Sequence, residues 1–199
     1  GYINSRSKID VIIPTLDSEI PLYIRLQKEL QELGIHTFIC TEKQFNLRDK
    51  SKLFQYFTSE DITVPKTVLL NSVAEINKAI QDIEFPVFIK GHLYEAYKAN
   101  NIIEAQKYFL ELQEKWGLPV ILQELIEGDE FNVVILGDGK GNCLGMVPQR
   151  KLVITDKGKG FGGVVVNNPA LEKFAQKVIK SLSWRGPCEL EIIKDKEGA

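Results

Sequence analysis

Apolar residues follow two rhythms along this chain. Ile9-Asp-Val-Ile-Ile13 and Ile35-His-Thr-Phe-Ile-Cys40 are short apolar runs of strand length. Between them, Leu16-Asp-Ser-Glu-Ile-Pro21 opens a helical pattern that runs to about Leu33 and stops at Gly34. Strand, helix and strand in that order predict a βαβ remnant. A second helical pattern starts at Arg48-Asp-Lys50, carries Leu53, Phe54 and Phe57 on one face, and ends near Ser59. Ile62-Thr-Val-Pro-Lys-Thr67 reads as extended, because a residue before proline avoids helical backbone.

From Thr67 onward the alternation resumes. A strand at Val68–Leu70 precedes Ser72-x-x-Glu75, a capping box that starts a helix to about Asp82. Phe85-Pro-Val-Phe-Ile-Lys90 reads as a strand, followed by a polar loop. A helix follows over about 102–116, with Ile103, Leu110 and Leu112 as core candidates. Strands are expected at about 120–125, 130–136 and 143–154, the last two joined by the hairpin turn Gly137-Asp-Gly-Lys-Gly-Asn142. Asn168-Pro169 starts a helix to Leu182, and Pro187–Lys194 is the last strand. Strands on tight turns mixed with a few helices predict an α+β module behind the βαβ remnant.

Composition narrows the class. The 199 residues are 44% hydrophobic and 26% charged, as in a soluble globular protein of one or two domains. Twenty-five basic and twenty-seven acidic residues give a net charge of −2, which offers no bulk attraction to nucleic acid or a membrane surface. No apolar run reaches the roughly 18 residues of a spanning helix, and the N-terminus lacks a signal-peptide core. Cys40, Cys143 and Cys188 are scattered and odd in number, which predicts free thiols and a cytoplasmic protein. Gly1-Tyr-Ile-Asn4 enters the first apolar run almost at once, and Asp195-Lys-Glu-Gly-Ala199 reads as a hairpin turn without its second strand. Both ends predict an internal piece of a longer protein.

Four segments carry candidate chemistry. Lys90 ends an apolar strand, where it is either a solvated edge residue or a cation delivered to a ligand at the end of a parallel-type strand. Gln123-Glu-Leu-Ile-Glu127, Gly128 and Glu130 form either an acidic hairpin or a hinge that meets a base through its backbone and a ribose through an acid. Lys157-Gly-Lys-Gly-Phe-Gly-Gly-Val-Val165 contains GxGxxG, but Val164–Val166 reads as strand and not helix, so it is no dinucleotide fingerprint. It follows Lys90 and lacks kinase partner motifs, which leaves a loop that reaches phosphate or a plain hairpin tip. Arg150-Lys151, on the strand that feeds this loop, faces the same phosphates or is a solvated pair. Glu189 and Glu191 alternate across Leu190, so their carboxylates share a sheet face and need a cation such as Mg2+, unless that face is simply exposed. His36 and His92 have no spacing for a metal or triad, and neither GxSxG nor GxxxxGK[ST] occurs.

Taken together, the order and spacing of these segments resemble the ATP-grasp superfamily, in particular the carbamoyl-phosphate-synthase-like carboxylate–amine ligases. The resemblance implies an α+β ATP-grasp fold of two α+β subdomains, preceded by a βαβ remnant of a pre-ATP-grasp domain. Residues 1–47 would end that domain, 48–118 form the first subdomain and 119–199 the second, stopping before its final metal-binding strand. It implies ATP and Mg2+ as cofactors, with small-molecule carboxylate and amine substrates joined through an acyl phosphate. It further implies Lys50 and Lys90 on phosphates, Glu124 and Ile126 at adenine, Glu130 at ribose and Glu191 at the metal; Lys151 toward phosphates and Glu189 beside the metal are added from the residue pattern alone. Two departures stand out: Gly91-His-Leu-Tyr-Glu-Ala-Tyr-Lys98 replaces the usual glycine-rich phosphate loop, and the family's second metal acid with its Asn-Pro-Arg is expected on a strand after 195–198, which the 199 residues do not include. The resulting expectation is a ligase in the full-length protein and a fragment that does not turn over alone. The alternatives are a non-catalytic nucleotide-binding regulatory module and a non-nucleotide α/β interaction domain.

Overall fold

The computed structural model describes residues 2–91, 95–154 and 160–195, without the side chains of residues 50, 51 and 154. The chain divides into two compact units, neither continuous in sequence. One gathers residues 1–48, 132–148 and 166–190; the other gathers 49–131, 149–165 and 191–199. Helices α1 (Tyr2–Arg6), α2 (Ile20–Glu32) and α3 (Glu42–Leu47) come first, followed by α4 (Lys50–Ser59) and strand β1 (Thr67–Leu70). Next are a 3-10 turn over Val73–Glu75, α5 (Ile76–Ala79), β2 (Val87–Lys90), β3 (Ala96–Ala99) and α6 (Ile102–Trp116). The rest is β4 (Val120–Glu124), β5 (Gly128–Asp138), β6 (Cys143–Ile154), β7 (Gly160–Val165), α7 (Pro169–Leu182) and β8 (Arg185–Asp195). No helix among the described residues is long and apolar enough to cross a membrane.

In the unit that begins at Asp49, β1, β4, β2 and β3 form an antiparallel sheet in that order. Alternation sends Val87 and Ile89 of β2, and Val120 and Leu122 of β4, into one core with Leu70, Ile76, Ala105, Phe109 and Leu112. Helix α6 covers this face. Its start is set by Asn101, whose side chain accepts from the Glu104 amide, and its end by Gly117 at φ 76°. The buried stripe of α6 is Ala105, Phe109 and Leu112, spaced four and three apart, while Ile103 is 75% exposed and Leu110 also faces out. Of the three expected core positions, only Leu112 holds. The parallel arrangement expected of β2 is likewise replaced by antiparallel pairing on both sides. The expected polar loop contains β3, which pairs with β2 although Ala96-Tyr-Lys-Ala99 has little strand composition.

The unit that begins at the N-terminus differs more from expectation. Residues 9–13 are not a buried strand: Ile13 is 72% exposed, and their described strand-type pairing is one isolated parallel bridge, Val11 to His36. The 35–40 segment is buried at Ile35, Ile39 and Cys40 without belonging to a strand. Its carbonyls find side-chain partners instead, since the Arg185 guanidinium donates to Ile39 O at 2.6 Å and Thr37 O at 3.1 Å. Gly186, at φ 90°, lies so close that a Cβ there would sit 2.6 Å from Phe38 O. Helix α3, absent from the sequence reading, has a full capping box between Thr41 and Gln44. Gln44 is buried and donates to the carbonyl of Ser183, which ties α3 to the end of α7. The Ser72 capping box does not form: Ser72 caps nothing with its side chain, Glu75 accepts from the Asn71 amide, and the chain makes a 3-10 turn and the short α5.

The second sheet has the order β7-β6-β5-β8, and its three long strands contribute residues to both units. Two of the GxGxxG glycines, Gly160 and Gly163, lie in β7, paired antiparallel with β6. The remainder of that segment, through residue 159, falls outside the described residues, as do residues 92–94 and with them His92.

Candidate functional site

Lys90 sits at the end of β2 on the face opposite the core. The register places Gln123 of the central strand β4 opposite both Phe88 and Thr67. Lys90 Nζ donates to Gln123 Oε1 at 2.6 Å, Gln123 Nε2 donates to Thr67 Oγ1 at 2.9 Å, and the Thr67 hydroxyl donates to Pro65 O at 2.8 Å. The ammonium also lies 5.1 Å from the centre of the Phe88 ring, within cation–π range. The sequence reading named Gln123 only as part of a hinge. Its partnership with Lys90 depends on strand register, although a polar residue following buried Leu122 was a usable sign.

Glu124 acts first as a backbone clamp. Its carboxylate accepts from the Lys66 amide at 2.8 Å, and its own amide donates to Lys66 O at 2.9 Å. These two bonds extend the β1–β4 pairing by one residue. A cleft of about 370 Å³ lies alongside, lined by Lys66, Glu124, Leu125 and the 82–86 segment. Ile126 is half-buried in the short connection to β5 and does not line that cleft. Gly128 follows, and its reason is close approach and not a turn: a Cβ there would lie 2.1 Å from Lys194 O.

Beyond Gly128, three candidate side chains converge. Glu130 is on β5, with Lys151 on one neighbouring strand, β6, and Glu191 on the other, β8. Lys151 Nζ is 3.3 Å from Glu130 Oε2 and 3.0 Å from Glu191 Oε1. The lysine side chain is only 6% exposed, while that of Glu191 is 70% exposed. Burial by itself pulls the Lys151 ammonium down, but hydrogen bonds and attraction from Glu191, then Glu130, outweigh it and hold its pKa above the ordinary lysine value. Beside this row Arg150 pairs with Asp129 at 2.7 Å, so the adjacent Arg150 and Lys151 share no acid. Glu189 belongs to the other compact unit and accepts a short hydrogen bond from Asn132 Nδ2.

Lys50, Lys90, Glu124, Ile126, Glu130, Lys151 and Glu191 therefore all lie in one compact unit, with the Lys50 side chain outside the described part. No group of three or more His, Cys, Asp or Glu among the described residues is arranged to hold a metal ion. Of the two carboxylates on Lys151, that of Glu191 is the more exposed. The three cysteines are free, and burial pushes the Cys188 thiol up to about 12, which rules it out as a thiolate nucleophile near neutral pH.

No family model matches this sequence, and no curated protein matches it. Solved structures do. Biotin carboxylase from Campylobacter jejuni, in a β-γ-ATP complex, is similar over 100% of this chain and 48% of its own, with TM-score 0.78 and 16% identity. D-alanine–D-alanine ligase from Bacillus anthracis, complexed with ATP, is similar over 98% of this chain and 67% of its own, with TM-score 0.72 and 17% identity. L-amino acid ligase from Bacillus licheniformis covers 100% of this chain and 48% of its own, with TM-score 0.72 and 15% identity. The chain thus spans about half the length of the biotin carboxylase and the L-amino acid ligase. At such identities the likeness speaks for architecture alone, and with two helix-bearing antiparallel sheets it shows that this chain has an α+β ATP-grasp fold.

Proposed function

We propose that this chain is the nucleotide-binding part of an ATP-dependent ligase that joins a small carboxylate to an amine or related nucleophile. The observation that carries the proposal is the Lys90 ammonium, held by Gln123 on the non-core face of an antiparallel sheet. An ammonium held in place by a neutral amide is a suitable donor to a nucleotide phosphate. The likeness to ligases and a carboxylase solved with ATP supports the same reading.

In this reading Lys90, Lys50 and Lys151 receive phosphates, the backbone near Glu124 and Ile126 meets adenine, and the Glu130 carboxylate accepts from ribose hydroxyls. Glu191 holds the magnesium ion, which when bound supplies charge neutralisation on the phosphate oxygens. The division into subdomains at residue 119, with residues 1–47 closing a preceding α/β domain, belongs to the same proposal. The lysines would offset negative charge as a γ-phosphoryl group passes to the carboxylate, whose acyl phosphate the amine then attacks.

Calorimetric titration with MgATP tests the site. The wild-type chain should bind, and Lys90→Ala should weaken binding at least about tenfold, the loss of one charge-assisted hydrogen bond. Unchanged affinity in that variant would sink the assignment. In the full-length protein, ADP release that depends on both a carboxylate and an amine separates a ligase from a nucleotide-binding regulatory module.

A further inference from the structure

We propose that Thr67 and Gln123 are positioning residues that set the Lys90 ammonium for phosphate, an inference that rests on the nucleotide reading above. A lysine ammonium has donors only, so the Gln123 amide must turn its oxygen toward Lys90. Its nitrogen must then donate, and Thr67 Oγ1 is the acceptor at 2.9 Å. With that lone pair engaged, the Thr67 proton goes to Pro65 O at 2.8 Å. The direction of every bond in this chain follows from the lysine charge, and no alternative rotation of the amide satisfies both neighbours.

The arrangement has a consequence for binding. Lysine reaches its ligand on a flexible four-carbon stem, and fixing that stem opposes association. Here the stem is fixed in advance by the Gln123 amide, which orients the ammonium. Thr67 is what keeps the amide from rotating. It lies on β1, two strands from β2 in the β1-β4-β2 order, and reaches Lys90 only through Gln123.

The test is a thermodynamic cycle on the folded chain, with MgATP and adenosine as probes and calorimetry as readout. Thr67→Val should lower MgATP affinity about fivefold, in keeping with one lost hydrogen bond, and leave adenosine affinity unchanged. Thr67→Ser keeps the acceptor and should restore wild-type MgATP affinity. In a Lys90→Ala background, Thr67→Val should have no further effect on MgATP. The inference is overturned if Thr67→Val weakens adenosine and MgATP equally, which is a merely structural effect, or if its effect persists without Lys90. It is overturned equally if the wild type binds MgATP and Thr67→Val binds it as well. A wild type that binds neither probe overturns the nucleotide reading itself, and this inference with it.

Discussion

Glu95 shows how a single exposed residue can carry several contacts in this protein. It sits at φ 68°, a left-handed conformation uncommon outside glycine, between Gly91 and strand β3. Its carboxylate accepts from Trp116 Nε1 at 3.2 Å and pairs with Lys115 at 3.2 Å, and its carbonyl accepts from the Gly91 amide. The end of the β2–β3 connection is thereby tied to the end of α6. The Trp116 hydrogen bond, then that of Lys115, holds the Glu95 carboxyl below its ordinary value. A carboxyl depressed in the folded state stabilises it above the unfolded pKa, and this contribution is lost as pH falls through the folded pKa. Glu95→Gln should therefore melt below wild type at neutral pH, and the gap should close as pH drops below about 4.3, the ordinary glutamate value. A gap that persists unchanged well below that value would show that charge is not what Glu95 contributes.

At the scale of elements, α6 and β5 each have a face that sequence spacing alone leaves ambiguous. On α6, Ile103 and Leu110 recur seven residues apart as regularly as Ala105, Phe109 and Leu112 recur four and three apart. The second set faces β2 and β4 and is buried. Leu112→Ala should cost about 2–5 kcal/mol by leaving a cavity, whereas Ile103→Ala should stay within about 0.5 kcal/mol. Urea denaturation of the two variants would decide, and the reverse order would mean the helix is rotated. On β5 the sensitive position is the first. Gly128→Ala places a methyl group against Lys194 O, and since backbone must move, about 1–3 kcal/mol should be lost. If instead the variant matches wild type, the approach of β8 to β5 is looser than described.

For the whole molecule, the candidate residues other than Glu189 fall in the unit built from 49–131, 149–165 and 191–199. If MgATP binds as proposed, amide exchange should slow in β1, β2, β4 and the start of β5, while α2 and α7 exchange as before; slowing confined to α2 and α7 would relocate the site. Much of this fold was legible in advance. Asn168-Pro169 started α7, Gly34 closed α2, and the 137–142 turn joined β5 to β6, because caps, glycine turns and short-range periodicity are local in the chain. Lys90, Glu130, Lys151 and Glu191 could also be named in advance, since a charge on an apolar strand stands out in any window. What could not be read was pairing. Ile9–Ile13 has the composition of a buried strand but is left with one bridge, and Ala96–Ala99 lacks that composition yet pairs fully with β2. Strand formation depends on the neighbour available, and that neighbour is remote in sequence. The amino-acid sequence by itself determined where elements begin, which faces are apolar and which residues carry charge. Only the tertiary structure decided that Gln123 meets Lys90 and Thr67, and that Lys151 stands between Glu130 and Glu191. These contacts join residues 21 to 56 positions apart, and they exist only once strand order and register have been set.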